Sequence, residues 1–498
     1  MSRPSDRRPT LGAVTTVSQH EQLAALAAAA MRERGLDPVF PPAALAQASA
    51  LTTAPVVATE PVKDLRELPW CSIDNDDSRE LDQLSAAEQL AGGRVRILVA
   101  VADVDVAARK GSPIDGHAAV NTTSVYTPAA VFPMLPPRLS TDLTSLNANV
   151  DRLALIVDYV VNADGTIESD DVYGATVRNH AHLVYDDIDG FLSGRAPLPP
   201  DGRLPAIAQQ LEIQDSVAQA LSRRRHELGA LDFDIAETRV RFEGENLRDL
   251  KPELPNRAKS LIENFMIAAN SVVARFLDSH GSPSIRRVVH APARWDRIVA
   301  IAARWSYPLP PTADVRALSK FLQARKAADP DDFPELSHAV IRLVGKGEYL
   351  VDTPDKDAPG HFALAVKDYA HSTAPNRRYS DLLTQRLLKA VLCGDRSPYT
   401  LAELESYARL CTLREDDANR VERQVRKSAA AMLVAGRVGE HFRAVVTGAS
   451  PSGTYVRTFA PHIEGRVVRG ERGLDVGDRI TVHLVSVDVQ RGFIDFAV

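Results

Sequence analysis

The chain has 498 residues, 45% apolar and 25% charged, which is enough for about two to four globular domains of ordinary composition. Its cysteines, Cys71, Cys393 and Cys411, form no CxxC pair, which argues against a disulfide scaffold and a zinc site. A net charge of −6 does not exclude a nucleic-acid partner, because phosphate contacts depend on local basic clusters such as residues 223–225. No stretch suits a membrane span or a signal peptide, so a cytoplasmic protein is expected.

Residues 1–60 are predicted to form a small helical module. Residues 1–15 lack periodicity and are expected to be disordered. Ser18 and Glu21 then have the spacing of a capping box at the start of a helix, and a second short helix fits residues 42–51. Two such helices suit a helix-turn-helix-like module that binds nucleic acid, or a simple docking element.

An α/β region is predicted to follow, after a linker over residues 52–62. Continuous apolar runs predict strands at residues 94–104 and 153–161. Helical patterns then dominate, and the third of them has Ser380 as its expected N-cap and Gly394 after its end. These helical patterns cover residues 211–228, 256–277, 380–392 and 401–438.

The last segment, residues 439–498, changes to short alternating strands punctuated by glycines. Its pattern predicts an OB-type β-barrel, with an SH3-like barrel as the structural alternative. The expected strands cover residues 442–447, 453–458, 464–469, 479–487 and 492–497.

An acidic cluster is the first chemical signal along the chain. The carboxylates of Asp74, Asp76, Asp77, Glu80 and Asp82 fall in one short segment, which follows a predicted strand. Like charges packed so closely are destabilising unless a cation lies among them. Hard oxygen ligands favour Mg²⁺ or Mn²⁺, and a pair of such ions roughly 3.5–4 Å apart can cleave a phosphodiester. The segment alone leaves an acidic surface loop equally open.

A series of motifs from residue 61 to residue 498 resembles the RNB-domain exoribonucleases, the family of ribonuclease II, ribonuclease R and the catalytic subunit of the exosome. The resemblance implies an α/β catalytic RNB domain over residues 61–438, a mixed sheet packed with helices. It also implies an RNA-binding OB-fold of the ribosomal-protein type over residues 439–498. The helical module over residues 1–60 would replace the usual cold-shock barrels. The matching motifs lie at residues 64–74, 101–104, 123–126, 133–136, 143–146, 262–270 and 369–381.

The resemblance places a metal site on Asp74, Glu80, Asp82 and Gln83, with Asp82 as its central catalytic carboxylate. The family usually has four aspartates, so Glu80 and Gln83 depart from its pattern. Glu80 can still act as a ligand, whereas Gln83 offers a neutral carbonyl oxygen. A working but altered site for Mg²⁺ is therefore expected, with Mn²⁺ as the alternative.

The same resemblance assigns RNA contacts. Arg377 would act as a catalytic residue against the scissile phosphate, because a guanidinium grips phosphate oxygens in a bidentate manner. Stacking on aromatic rings contributes ~1–3 kcal/mol per base and tolerates any sequence. Tyr126 and Phe233 would bracket the stacked bases, and Tyr185 would lie near the cleavage point. The remaining RNA-binding candidates are Arg378 beside Arg377, Glu263 and Glu422 near the 3′ nucleotides, and Phe442 and Tyr455 on the barrel.

The function implied is hydrolysis of single-stranded RNA from the 3′ end, processively, to nucleoside 5′-monophosphates. No small-molecule cofactor and no membrane partner are expected, and the protein should be a monomer. Without cold-shock barrels the entrance to the active site should be more open, so duplex RNA with a 3′ overhang is expected to be accepted as well. Because Glu80 and Gln83 depart from the pattern, the alternative is an RNA-binding or regulatory protein that has lost catalysis.

Overall fold

The computed structural model describes residues 18–56, 58, 60–200, 205–234, 238–252, 255–330, 332–353, 359–450 and 453–498. The disorder expected over residues 1–15 lies outside this part of the chain. None of the helices described is both long enough and apolar enough to span a bilayer.

The described residues form helices and strands at most of the predicted positions. The helices are α1 Gln19–Glu33, α2 Pro42–Ala50, α3 Pro113–Asn121, α4 Tyr185–Leu192, α5 Pro205–Leu228, α6 Arg257–Ser279, α7 Trp295–Ala303, α8 Val315–Ala328, α9 Phe333–Val344, α10 Tyr379–Cys393 and α11 Leu401–Val434. The strands before the barrel are β1 Val62–Asp64, β2 Cys71–Asp74, β3 Gln83–Gln89, β4 Val95–Ala102, β5 Val125–Tyr126, β6 Val131–Phe132, β7 Asp151–Val161, β8 Ile167–Arg178, β9 Ala181–Val184, β10 Thr238–Glu243, β11 Asn246–Pro252, β12 Ser284–Val288 and β13 Glu348–Asp352.

A seven-stranded mixed sheet carries the main core, in the order β1-β8-β7-β4-β3-β2-β9. Its inner strands are antiparallel, and β1 and β9 join at the edges in parallel. β4 is buried almost throughout, as its continuous apolar run predicts. Cys71 pairs with Ser85 in antiparallel register, so the end of β2 and the start of β3 lie side by side. This pairing brings the two ends of the acidic segment together.

The N-terminal helices are part of the larger fold and not a module of their own. The capping box of Ser18 and Glu21 is confirmed. However, α1 buries Leu23 and Ala27 in a cluster that includes residues of α11 and of β5. α2 instead buries Ala44 in the core of the central sheet. The interpretation as a helix-turn-helix-like module is therefore wrong, because the apolar faces of the two helices are buried in different cores.

The helix α10 begins differently from its prediction. Arg378 occupies the N-cap position and the helix starts at Tyr379, one residue before the expected cap. The Ser380 hydroxyl is 3.0 Å from Oδ2 of Asp381 and donates to it, so Ser380 does not cap the helix. Gly394 ends the helix in the left-handed region, with φ of 73°, as its position predicts.

The C-terminal segment is a closed barrel in the order β14-β15-β16-β18-β17, which fits the expected OB-type fold. Its inward-facing residues form a separate core that also receives Ala431 and Val434 of α11. The long helix therefore connects the barrel to the sheet domain through direct packing. The strands are β14 His441–Ser450, β15 Gly453–Thr458, β16 Glu464–Arg469, β17 Arg479–Asp488 and β18 Phe493–Ala497.

Candidate functional site

The predicted metal ligands lie at one edge of the central sheet. Asp74 is the last residue of β2 and Gln83 is the first residue of β3, while Glu80 and Asp82 lie on the connection between them. Leu81 is buried between the two acidic residues, which fixes this connection against the core. The alternation of an apolar anchor with carboxylates therefore keeps Glu80 and Asp82 on the same side.

Asp82 is the most buried of these carboxylates, with 2% of the residue exposed. Its Oδ1 accepts the backbone N–H of Asn376 at 2.9 Å, and its Oδ2 lies 3.4 Å from Nε of Arg377. Burial raises the pKa of the Asp82 carboxyl to about 7, although the charge of Arg377 opposes this shift. Burial likewise raises the pKa of Asp74 to about 7, again against Arg377. The charge of Arg377 is therefore not enough to hold the pKa of either carboxyl at its ordinary value of 3.8.

Three oxygens in this group are buried and have no hydrogen-bond partner among the described residues: Glu80 Oε1, Asp82 Oδ2 and Gln83 Oε1. Leaving a buried acceptor unsatisfied costs about 1–3 kcal/mol, and more for a charged group. A divalent cation with a preference for oxygen ligands would satisfy all three. The donor set therefore fits Mg²⁺ or Mn²⁺.

The spacing of the carboxylates qualifies this fit. Within the described residues, no three His, Cys, Asp or Glu side chains lie close enough together to hold a metal ion by themselves. The oxygens without hydrogen bonds still fit a cation, because carboxylates that repel one another stay apart until a cation lies between them. The amide oxygen of Gln83 is then an additional donor beside the carboxylates.

Arg377 is the cation nearest to this group. Its side chain is 42% exposed, so part of the guanidinium faces solvent while Nε faces Asp82. Its charge lowers the pKa values of Asp74, Glu80 and Asp82 against the larger effect of burial. Arg378 has a different environment, because it forms an ion pair of 2.7 Å with the buried Asp381. Arg377 is thus the arginine that an incoming phosphate can reach.

Tyr126 connects the acidic group to α11. Its hydroxyl donates to Oε2 of Glu80 at 2.7 Å, and its backbone N–H donates to Oε1 of Glu422 at 2.9 Å. The residue remains 40% exposed. The preceding Ser124 donates its N–H to the carbonyl of Arg377 at 2.9 Å, so the strand of Tyr126 and the arginine loop are joined directly.

A cavity of about 180 Å³ lies beside Tyr126 and Arg377. It brings together four of the predicted site residues: Tyr126, Arg377, Arg378 and Glu422. The rest of its wall is mostly polar and consists of Thr122, Thr123, Ser124, Tyr349, His371, Ser380, Cys411, Glu415, Ala418 and Asn419. A cavity lined by two arginines, two carboxylates and aromatic side chains suits part of a nucleotide.

Three other predicted residues lie outside this cavity. Tyr185 begins α4, and its hydroxyl has a raised pKa, first through burial and then through the charge of Asp74. Phe233 packs, partly buried, on the core formed by α7, α8 and α9. Glu263 is exposed on α6 and opposes the lowering of the pKa of Arg225 by burial. Tyr185 therefore lies near the acidic group, whereas the contacts of Phe233 and Glu263 are with other parts of the domain.

The two barrel aromatics have opposite environments. Phe442 is 4% exposed and packs edge-on to Phe496 with ring centroids 6.1 Å apart. The prediction that Phe442 binds RNA is wrong, because its ring is inside the barrel core and cannot stack on a base. Tyr455 is 41% exposed, and Arg466 lies opposite it in the strand register. Tyr455 thus remains a candidate.

Asn376 is a site residue that the sequence reasoning did not identify. It is fully buried, and its N–H donates to Asp82 while its side-chain oxygen accepts the Thr144 hydroxyl at 2.6 Å. The signal in the sequence was its position directly before Arg377. A backbone donor, however, leaves no side-chain chemistry to recognise, so only the structure shows this contact.

Comparison with known proteins agrees with this arrangement. Residues 62–394 match the RNB domain, and residues 440–498 match the RNase II-type exonuclease C-terminal S1 domain. Ribonuclease R of Vibrio parahaemolyticus is 30% identical over 424 residues, which are 81% of this chain and 49% of that protein. Ribonuclease R of Escherichia coli is 28% identical over 99% of this chain and 65% of its own length. The chain thus spans about half to two thirds of the length of these relatives.

Solved structures show the same fold. Mycoplasma genitalium RNase R in complex with double-stranded RNA superposes with a TM-score of 0.83 at 22% identity, over 95% of this chain and 83% of that chain. This match extends into the first 61 residues, which the RNB domain match leaves out. Yeast Ssd1, described as a pseudonuclease, gives a TM-score of 0.70 at 18% identity, over 89% of this chain and 55% of that one.

Proposed function

Because the chain belongs to the RNB family, we propose that it is an exoribonuclease that hydrolyses RNA from the 3′ end and requires a divalent metal ion. We propose that it acts processively and releases nucleoside 5′-monophosphates. The observation that carries the proposal is the set of unpartnered buried oxygens on Glu80, Asp82 and Gln83, next to the part-exposed Arg377. Such oxygens are costly to keep in a folded protein, and binding of a cation explains their presence.

The residues of the site have separate tasks in this reaction. Asp74, Glu80, Asp82 and Gln83 would hold Mg²⁺ or Mn²⁺, which supplies Lewis acidity and lowers the pKa of water. Arg377 would bind the oxygens of the scissile phosphate and offset the charge that develops on them. The N–H of Asn376 keeps Asp82 turned toward Arg377, since it holds the other carboxylate oxygen.

The nucleotides before the cleavage point would be held by rings and carboxylates. The exposed ring of Tyr126 would stack on the terminal base, and Tyr185 would contact the strand near Asp74. Glu422, on the wall of the same cavity, would accept a ribose hydroxyl. A contact to the 2′-hydroxyl is what lets such a site prefer RNA over DNA. Phe233 would bracket the stacked bases together with Tyr126, and Glu263 would lie near the 3′ nucleotides.

The substrate proposed is single-stranded RNA, including the 3′ overhang of a duplex. The Mycoplasma relative has been solved with double-stranded RNA, which supports the second part. The barrel would hold the incoming strand, with Tyr455 and Arg466 on its outer face. A series of duplexes with 3′ overhangs of increasing length tests this, and arrest several nucleotides before every duplex would contradict it. A monomeric state and a cytoplasmic location remain predictions.

A protein that binds RNA without cleaving it is the second candidate. Glu80 and Gln83 favour it, and so does the likeness to yeast Ssd1. Incubation of 5′-labelled oligo-RNA with Mg²⁺, Mn²⁺ or EDTA separates the two, beside Asp82→Asn. Stepwise shortening with metal, absent in EDTA and in Asp82→Asn, is expected for the nuclease. Retention of full-length RNA with either metal, while the RNA still binds, would favour the second candidate.

A further inference from the structure

We infer that Tyr126 is a positioning residue for the metal ligand Glu80, in addition to any contact with a base. The inference rests on the proposed metal-dependent function. Its observation is the division of the Glu80 carboxylate: Oε2 accepts the Tyr126 hydroxyl at 2.7 Å, while Oε1 is buried and has no hydrogen bond. The tyrosine thus leaves one oxygen of Glu80 for a cation.

Tyr126 is itself held firmly enough to fix another side chain. Its own N–H donates to Glu422 on α11, and the preceding Val125 is fully buried against α1 and α11. Thr123 and Arg378 form an antiparallel bridge that ties the same segment to the arginine loop. The backbone that carries the tyrosine ring is therefore held in place, and the hydrogen bond to Glu80 then orients the hydroxyl.

Glu80 needs this support more than a shorter acid would. A glutamate has one methylene more than the aspartate usual in the family, so it has an extra rotatable bond to immobilise when it binds a cation. Ordering a side chain of this kind costs about 0.5–1.5 kcal/mol. The Tyr126 hydroxyl restricts that rotation before the metal arrives. The Ser140 hydroxyl is a second restraint, because its hydrogen bonding to the Glu80 carboxylate also favours the charged form and lowers the pKa of Glu80 against the larger effect of burial.

Tyr126 thus serves both the RNA-binding cavity and the metal ligand Glu80. The same tyrosine presents its ring to the cavity and its hydroxyl to a metal ligand. An aspartate at position 80 would place its carboxylate one methylene farther from the Tyr126 hydroxyl. In this chain Glu80 stands where the family usually has an aspartate, and a hydrogen bond from Tyr126 constrains the longer side chain.

The test is a calorimetric titration of the full chain with Mn²⁺ in the absence of RNA. Tyr126→Phe removes one oxygen and keeps the ring, and the extra freedom of Glu80 should weaken Mn²⁺ binding on the order of fivefold. Tyr173→Phe is the matched control, because the Tyr173 hydroxyl donates to a carboxylate, Asp158, at 2.8 Å in the sheet. The control should bind Mn²⁺ within about twofold of the wild type.

A double-mutant cycle separates positioning from a general structural effect. In a Glu80→Asp background the shorter side chain draws the carboxylate away from the hydroxyl, so Tyr126→Phe should then change the Mn²⁺ affinity by less than about twofold. Equal loss in both backgrounds, or wild-type affinity in Tyr126→Phe, would overturn the inference.

The proposed function can fail independently of this result. A wild type that binds no Mn²⁺ and leaves labelled RNA intact overturns both proposals. A wild type that binds Mn²⁺ and shortens RNA, with an affinity that Tyr126→Phe does not alter, overturns the positioning role alone. Thermal unfolding midpoints of the variants show whether each chain is folded when its affinity is measured.

Discussion

Replacement of Asp82 by asparagine should stabilise the metal-free protein at alkaline pH and should abolish its stabilisation by Mg²⁺. Asp82 is buried, with a carboxyl pKa of about 7 instead of the ordinary 3.8. Between these values the folded protein holds a proton that the unfolded chain has released, so stability falls as the pH rises from about 4 to about 7. Asparagine is never charged and therefore removes this penalty.

The structure sets the size of the effect. A shift of roughly three pKa units corresponds to ~4 kcal/mol for the ionised form. The amide oxygen of the asparagine can still accept the Asn376 N–H. Its NH₂ group then takes the place of Oδ2, which lies 3.4 Å from Nε of Arg377 in the wild type, so two donors face each other. Because Arg377 is part-exposed and can turn to solvent, we expect a net gain of about 1–2 kcal/mol at pH 8. That gain corresponds to about 1–2 °C in the unfolding midpoint, since the unfolding entropy of a chain of 498 residues is on the order of 1 kcal/mol/K.

The assay is thermal unfolding in EDTA at pH 5 and at pH 8, followed by addition of Mg²⁺. The unfolding midpoint of Asp82→Asn should exceed that of the wild type by more at pH 8 than at pH 5, because only part of the penalty for the wild-type carboxyl is present at pH 5. Mg²⁺ should stabilise only the wild type. Asp77→Asn, an exposed position on the same connection, should show no such difference between the two pH values. An equal destabilisation by Asp82→Asn at both pH values would refute the reasoning.

Further variants test the remaining assignments. Arg377→Lys keeps the charge but loses the bidentate grip, so hydrolysis of labelled RNA should fall roughly 100-fold, with RNA binding in EDTA nearly unchanged. Gln83→Asp adds a carboxylate to the donor set, and calorimetry should show Mn²⁺ binding on the order of tenfold tighter. Phe442→Ala should destabilise the barrel by about 3–5 kcal/mol in chemical denaturation. Tyr455→Ala should instead leave stability unchanged and weaken RNA binding by ~1–3 kcal/mol in a filter-binding assay.

The regular elements could be predicted because their causes are local. β4 and β7 are continuous apolar runs that only a buried strand accommodates, and both are found where expected. The capping box at Ser18 and the left-handed Gly394 are similarly set by neighbouring residues. Ser380 shows the limit of such signals. Its hydroxyl donates to the buried Asp381 instead of capping the helix. Asp381 also pairs with Arg378 and accepts the Ala374 N–H at 2.8 Å.

The docking of α1 could not be predicted for a related reason. The apolar stripe of α1 shows that one face is buried, but nothing in the stripe says against which partner. The partner is α11, about four hundred residues along the chain, together with the strand that carries Tyr126. Long-range packing of this kind turns an apparent separate module into support for the cavity wall.

The altered metal site shows what the order of residues can and cannot reveal about chemistry. Glu80 and Gln83 read as losses when they are compared with a pattern of four aspartates, because one ligand is longer and the other is neutral. In the structure the oxygen of Gln83 is nevertheless buried and has no hydrogen bond among the described residues, like Oε1 of Glu80, and Oδ2 of Asp82 has only the ion-pair contact with Arg377. Each buried acceptor without a hydrogen bond is destabilising. Three of them along one short segment are thus an argument that a cation binds here, with one negative charge fewer around it than four aspartates would give.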